Sequence, residues 1–175
     1  ERLLDSISLQ TYRQLEVWVL DAQAGTHSNW LGCPVRWVDA AMARTALPTG
    51  YALLARPGDW MLPDHVARLA DALNRLPQTV AARTANSCRP ATDNGLIGGQ
   101  VAVPALSVMW RVTGDAGTTG AWLETAIPSG QINLSWLHAQ GPVAELEGQT
   151  AWSGTAVTVA RSDPPVTWWS RLRGS

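Results

Sequence analysis

The sequence predicts an α/β fold in which a mostly parallel sheet is flanked by helices and the C-terminal half is rich in β-strands. Two observations support this prediction. Up to about residue 82, short apolar runs alternate with helical patterns, an order typical of parallel sheets covered by helices. From residue 86 onwards, glycine-rich turns separate short runs in which apolar and polar residues alternate, as they do in strands.

The first half should contain four strands and three helices. The predicted strands are residues 15–20, 35–38, 51–55 and 79–82, and the predicted helices are an opening helix that closes near Gln10, residues 40–47, and a helix after Pro63. Pro48 stops the second helix because proline lacks the backbone N–H that a helix interior needs. Pro63 and Asp64 suit the first turn of the third helix.

The second half should consist of strands around a single helix. The predicted strands are residues 100–103, 106–112, 131–137, 143–146 and 155–160. The glycine-rich residues 95–99 match neither a dinucleotide fingerprint nor a phosphate loop, so we interpret them as a turn. Residues 113–120 predict a flexible connection, and the helix over residues 120–127 stops at Pro128.

We assign residues 1–161 to one domain and residues 162–175 to a tail or linker. The tail is rich in proline, tryptophan and arginine, a composition that favours an extended segment. Trp168 and Trp169 are adjacent in it and cannot both face inwards from a strand. One of them is therefore a candidate for docking on the domain or on a partner.

Composition restricts the classes of function. The chain has 175 residues, of which 46% are apolar, enough for one domain with a sizeable core. The net charge of -1 provides no basic field for nucleic acid, and the absence of lysine excludes Schiff-base chemistry. No apolar run reaches the roughly 20 residues of a membrane helix. We expect a soluble, cytoplasmic domain that, since it begins with Glu1, is part of a larger protein.

The cysteines and histidines do not predict a metal site. Cys33 and Cys88 are far apart in the sequence and belong to no CxxC pattern, so each is expected to be a free, buried thiol, with a disulfide left open. His27, His65 and His138 are isolated, and none has a second ligand at metal spacing. We expect each to be a hydrogen-bonded histidine at the surface or at a helix end.

Residues 50–64 resemble a segment of one family. They read as an apolar strand, a polar turn and then Leu-Pro-Asp before a helix. This order is similar to that of family 2 glycosyltransferases of the GT-A type, in which the turn is Asp-x-Asp. Residues 4–21 look like that family's first helix, its Gln-Thr-Tyr turn and its second strand. The resemblance covers about the first eighty residues. It implies a nucleotide-binding sheet and transfer of a sugar from a nucleotide-sugar donor to an acceptor hydroxyl.

The chain departs from the family at the metal-binding turn. The positions of the two aspartates hold Arg56 and Gly58, and only Asp59 keeps a carboxylate. The divalent ion that the family uses, Mg²⁺ or Mn²⁺, would lose its ligand pair here. Arg56 could face a diphosphate in place of the ion, or it could be a solvated residue of a turn that has lost its function. The resemblance implies a donor-binding role for Asp59 and Arg56 only under the first alternative.

Two further positions are candidates through the resemblance. Asp21 ends the second predicted strand, where the family holds the nucleotide base or ribose; a plain turn former is the alternative. The family's acceptor base lies at the start of a later helix, at positions that hold no carboxylate between residues 118 and 121. The nearest is Glu124, which could act as the base only if it faces the cleft; an exposed helix charge is the alternative.

The resemblance also implies a central first strand before the opening helix. Glu1 already lies at the start of that helix, so we expect this strand either upstream in a longer chain or replaced by another segment. Three functions follow. The chain is an active glycosyltransferase, a degenerate glycosyltransferase-like module used for binding or assembly within a larger protein, or an unrelated α/β binding domain. Loss of both the metal pair and the base favours the second.

Overall fold

The structure is a computed structural model, which describes residues 2–20, 27–30, 32–84, 96–97, 100–148 and 150–152. Its helices are α1 (Arg2–Ser8), α2 (Ala40–Ala46), α3 (His65–Arg75), α4 (Ala116–Ser129), α5 (Leu134–Gln140) and the 3-10 helix η1 (Ala105–Ser107). Its strands are β1 (Val17–Leu20), β2 (His27–Trp30), β3 (Cys33–Val38), β4 (Gly50–Leu53), β5 (Trp60–Met61), β6 (Ala81–Thr84), β7 (Leu96–Ile97), β8 (Gln100–Pro104), β9 (Val108–Val112), β10 (Gln131–Asn133), β11 (Val143–Leu146) and β12 (Ala151–Trp152).

The α/β class is confirmed, whereas a mostly parallel sheet is not. β1 pairs with β3 and β6 pairs with β11 in parallel. The other ladders in the described part of the chain are antiparallel. The reason lies in β9, which starts directly after η1. Because η1 lies where β4 and β6 end, the chain can only run back between them.

The largest sheet nevertheless has a dominant direction. Its strand order is β11-β6-β9-β4. Both β4 and β6 are antiparallel to β9, and β11 is parallel to β6. Hence β4, β6 and β11 all point the same way and end at the same edge of the sheet. We call this edge the carboxyl edge; it lies next to Leu53, Thr84 and Leu146.

Two apolar cores lie on opposite faces of this sheet, and β9 contributes to both. Trp110 faces the core formed with α4 and α5, while Met109 faces the core formed with α3. This alternation is the period of two that a strand imposes on its side chains. In the first core, the ring of Trp110 stacks between those of Trp122 and Trp136, with centroids 6.2 and 5.8 Å away. In the second, Leu69 and Leu73 of α3 are fully buried.

Two predictions for the second half were wrong, and side-chain caps explain both. The flexible connection over residues 113–120 is largely helix, because Asp115 accepts hydrogen bonds from the first backbone N–H groups of α4. The strand over residues 131–137 ends at Asn133, whose side chain accepts from the N–H of Trp136 and starts α5. In α5, burial of Leu137 then stabilises a helix where local alternation had indicated a strand.

Several predictions concern residues outside the described part. These are Asp21, Cys88, the strand at residues 155–160, and the tail at residues 162–175 with Trp168 and Trp169. Cys33 is described, and it is a free and half-buried thiol that donates to the carbonyl of Leu15 at 3.7 Å. Burial, followed by the charge of Glu16, raises the pKa of this thiol.

Candidate functional site

The carboxyl edge of the main sheet is the candidate site, since open α/β sheets bind ligands beyond the carboxyl ends of their strands. The turn after β4 carries Arg56 and Asp59 over this edge. Thr84 ends β6 opposite Leu146 of β11, so both lie at the same level. Thr84 is buried, and its hydroxyl has no hydrogen-bond partner among the described residues.

Two hydrogen bonds between its first and last residues close the turn from Arg56 to Asp59. The backbone N–H of Arg56 donates to Oδ2 of Asp59 at 2.7 Å, and the N–H of Asp59 donates to the carbonyl of Arg56 at 3.0 Å. Gly58 between them has a φ of 97°, which favours glycine. Asp59 is only 4% exposed. Its carboxylate therefore stabilises the turn, and it is not presented to a ligand at the surface.

The guanidinium of Arg56 binds the end of helix α4. Its Nη2 donates to the carbonyl of Ile127 at 2.9 Å and to that of Pro128 at 2.7 Å. These carbonyls lie at the C-terminus of the helix, where the partial charge is negative and no intrahelical N–H is available. Arg56 therefore matches neither alternative from the sequence, a diphosphate-facing donor or a solvated turn residue. It is half-buried rather than fully solvated, and its Nη2 group is directed at two protein carbonyls.

Gly130 is what allows Arg56 to approach so closely. It ends α4 in the left-handed conformation, with a φ of 65°. A Cβ atom at this position would lie 2.2 Å from Nε of Arg56. The carbonyl of Gly130 also accepts from the N–H of Ala105 in η1 at 2.9 Å. The turn, the end of α4 and η1 therefore meet at one place, which we call the Arg56 joint.

Glu124 lies away from this joint. Its neighbours Trp122, Leu123 and Ala126 face the core, so Glu124 is on the outer side of α4. Its side chain is 65% exposed, and Oε1 lies 3.7 Å from Nε of Arg44 on α2. Of the two roles considered for Glu124, an acceptor base and an exposed charge on a helix, this position matches the second. Neither Arg56 nor Asp59 is among its recorded partners in the described residues.

A carboxylate does lie at the start of α4, at a position that the sequence reading passed over. Asp115 accepts from the N–H groups of Gly117 and Thr118, each at 3.1 Å, and from the Thr118 hydroxyl. The Thr118 hydroxyl, followed by these N–H groups, lowers the pKa of Asp115. The side chain is exposed and caps the helix.

The residues of the turn do not fit a divalent cation. Mg²⁺ and Mn²⁺ need several oxygen ligands, and the turn offers one buried carboxylate that is already bonded to backbone beside a guanidinium. In the described ranges as a whole, no group of three or more His, Cys, Asp or Glu side chains could hold a metal ion. No reaction step through a metal follows from this geometry.

A second polar cluster lies at the start of α3, and we call it the α3 joint. It consists of Gln10, His65 and Thr150, all nearly inaccessible to solvent. Gln10 donates from Nε2 to the carbonyls of Ser6 and Leu62, at 2.9 and 2.7 Å, and accepts at Oε1 from the N–H of Val66 at 3.0 Å. A buried amide with three such bonds fixes α1 to the start of α3.

His65 extends this joint to the end of the described chain. Its Nδ1 lies 2.7 Å from the hydroxyl of Thr150, and its Nε2 lies 3.0 Å from the carbonyl of Leu106 in η1. A carbonyl can only accept, so Nε2 carries the hydrogen and Nδ1 accepts from Thr150. The position at a helix end agrees with expectation, but the complete burial and the second partner were not predicted.

Comparison with known proteins adds no assignment. No protein-family model matches the chain, and no curated protein matches it significantly. Within the described residues, none of the helices has both the length and the apolar character needed to cross a bilayer. The site is therefore interpreted from its own geometry.

Proposed function

We propose that the chain is a glycosyltransferase-like module that has lost sugar transfer and serves for binding or assembly within a larger protein. The observation that supports this best is the engagement of Arg56. In the resemblance to family 2, this residue occupies the first aspartate position of the metal turn. Here it fastens that turn to the end of α4. A residue that should meet the donor diphosphate has become part of the scaffold.

The arrangement of the strands supports the same ancestry. β4, β6 and β11 share one direction, and the turn with Arg56 lies at their common edge, as the resemblance expects of a nucleotide-binding sheet. The described ladders leave β1 and β4 in separate sheets. This separation is in keeping with the expected central strand, which the family places before its first helix.

The contacts of the two candidate carboxylates support the loss of catalysis. Asp59 is bonded to the backbone of Arg56, and Glu124 pairs with Arg44 on the outer side of α4. A general base must come within hydrogen-bond reach of the proton that it abstracts. A diphosphate bound by Arg56 would lie beside two carbonyls at a helix C-terminus, where the partial charge is negative and disfavours an anion.

The test is a calorimetric titration of the chain with UDP and GDP, each with and without Mn²⁺. We expect no binding in any of the four titrations, and no hydrolysis of UDP- or GDP-sugars. Micromolar binding, about -8 kcal/mol, that requires Mn²⁺ would overturn the proposal and mean that an intact metal site exists.

Arg56→Gln separates the remaining outcome from non-specific binding of an anion. Its matched control is Arg75→Gln, which removes an exposed arginine on α3 that pairs only with Asp71 in the described residues. Metal-independent binding that Arg56→Gln abolishes and Arg75→Gln does not would also overturn the proposal. It would mean that Arg56 leaves the helix end to take a diphosphate.

A further inference from the structure

The segment at residues 150–152 is held on the domain by a short ladder, by backbone bonds and by a buried histidine. The carbonyl of Thr150 accepts from the N–H of Leu62 at 2.8 Å, and β12 forms a two-residue antiparallel ladder with β5. Ala151 is fully buried in the core under α3. The hydroxyl of Thr150 adds the bond to His65.

The geometry points to a pH-sensitive latch, in which protonation of His65 releases residues 150–152 while the rest of the domain stays folded. This inference does not rest on the proposed function. In the closed state, the imidazole is neutral and both of its nitrogens are used, one as donor to Leu106 and one as acceptor from Thr150. A second ring proton on Nδ1 forces the Thr150 hydroxyl to turn round and accept, and it places a positive charge in a site that is closed to solvent.

The surroundings of the imidazole do not compensate for a positive charge. Burial lowers the pKa of His65 most strongly; the Leu106 carbonyl and Asp64 raise it, and Arg68 lowers it. Both charged groups belong to the start of α3, and they oppose each other. The elements packed against the ring, η1 and residues 150–152, contain no titratable side chain.

The sign of the effect follows from this shift. The pKa of His65 is lower in the folded protein than the 6.5 of a free imidazole. At pH values between these two pKa values, the opened state therefore binds more protons than the closed state. The closed latch is therefore at full strength above pH 6.5 and weakens as the pH falls through and below it. One proton changes the opening constant by at most about tenfold per pH unit.

Opening should be local because α3 buries its own apolar face in the core. Leu69 and Leu73 anchor α3 in its core without help from the imidazole. Among the described residues, the segment 150–152 is joined to the domain by a two-residue ladder, the bonds of Thr150 and the burial of Ala151. Segments with few buried contacts open at a lower free energy than the global fold.

Hydrogen exchange measured by NMR between pH 8 and pH 5 tests the latch on the wild-type chain. The amide of Leu62, which donates to Thr150, reports on opening, and the amide of Arg111, which donates to Val80 in the main sheet at 2.9 Å, is the reference. We expect the protection factor of Leu62 to fall by up to about tenfold per pH unit below 6.5, while that of Arg111 stays constant. Loss of both together would overturn a local latch, and so would constancy of both.

NMR chemical shifts of the imidazole nitrogens, together with one variant, test whether His65 causes the pH dependence of Leu62 protection. We expect Nε2 of His65 to carry the hydrogen at pH 8, and protonation of its Nδ1 to accompany the loss of Leu62 protection. In His65→Gln, the protection of Leu62 should no longer depend on pH. A pH dependence that survives this substitution, or a His65 that titrates while Leu62 stays protected, would refute the inference.

Discussion

The Arg56 joint and the α3 joint both connect segments that are distant in sequence, but they use opposite chemistry. At the Arg56 joint, a half-buried guanidinium bonds to a carbonyl 71 residues away at the end of a helix. At the α3 joint, fully buried neutral side chains bond to partners 56 and 85 residues away. One joint is charged and reaches solvent, and the other is neutral and dry.

This difference determines what each joint contributes. A charged donor at an exposed helix end gains modestly, because water and salt screen it and can replace it. A neutral group in a dry site gains little by forming its bonds, yet removing it leaves its partners buried and unsatisfied. The α3 joint should therefore be the more sensitive of the two to substitution.

The largest effect is expected for Gln10→Ala at the α3 joint. It leaves the buried N–H of Val66 without its partner and removes one of the two donors to the carbonyl of Leu62, and we expect the free energy of unfolding to fall by about 3 kcal/mol. Urea denaturation measures it. The control is Gln14→Ala, at an exposed position, with a change within about 0.5 kcal/mol. Equal effects of the two substitutions would mean that burial of the Gln10 amide does not make the α3 joint sensitive.

Gly130→Ala tests how tightly the Arg56 joint is packed. The left-handed backbone and the contact of the new Cβ with Arg56 should together destabilise the chain by about 2 kcal/mol. The control is Gly120→Ala in α4, where no atom lies within 4 Å of the added Cβ. This control should stabilise the helix by about 0.5 to 1 kcal/mol. Thermal unfolding of both variants decides the matter, and a neutral Gly130→Ala would contradict the packing.

Arg56→Ala measures the charged part of the same joint. Loss of the two bonds to the helix end should lower the free energy of unfolding by about 1 kcal/mol. In the double variant with Gly130→Ala, the loss of unfolding free energy should be smaller than the sum of the two single losses, because the alanine Cβ no longer meets a guanidinium. A double-mutant cycle in urea gives this coupling. Strict additivity would show that the two residues do not interact.

Glu124→Gln should have the smallest effect. Its pairing with Arg44 is exposed, so the free energy of unfolding should change by less than about 0.5 kcal/mol. The measurement is the urea midpoint, with Arg44→Gln as the matched variant. A loss above about 1 kcal/mol would mean that Glu124 has a buried partner and that its placement on the outer side of α4 is wrong.

Local patterns predicted much of the fold where they coincide with the buried face. The strand at residues 143–146 and the helix at residues 40–47 are confirmed almost residue for residue, as β11 and α2. The strand, turn and helix from β4 to α3 are confirmed in order. Residues 131–137 failed because a cap at Asn133 and the burial of Leu137 outweigh a local alternation.

The candidate site was predicted less completely. The sequence predicted that Arg56 and Asp59 lie in a polar turn after an apolar strand, and the structure has that turn at the edge of the sheet. The partner of Arg56 could not be predicted, since the carbonyls of Ile127 and Pro128 carry no side-chain pattern. The role of Gln10 could not be predicted either, because a glutamine near the end of a helix is usually exposed.

The sequence by itself determined the α/β class and the position of the polar turn at Arg56 and Asp59. These depend on local periodicity and residue chemistry, which act over one element. Only the tertiary structure decided that β9 runs back between β4 and β6, that Arg56 binds α4, and that His65 is sealed beneath Thr150. Such contacts depend on which segments pack together, and packing is a property of the whole chain.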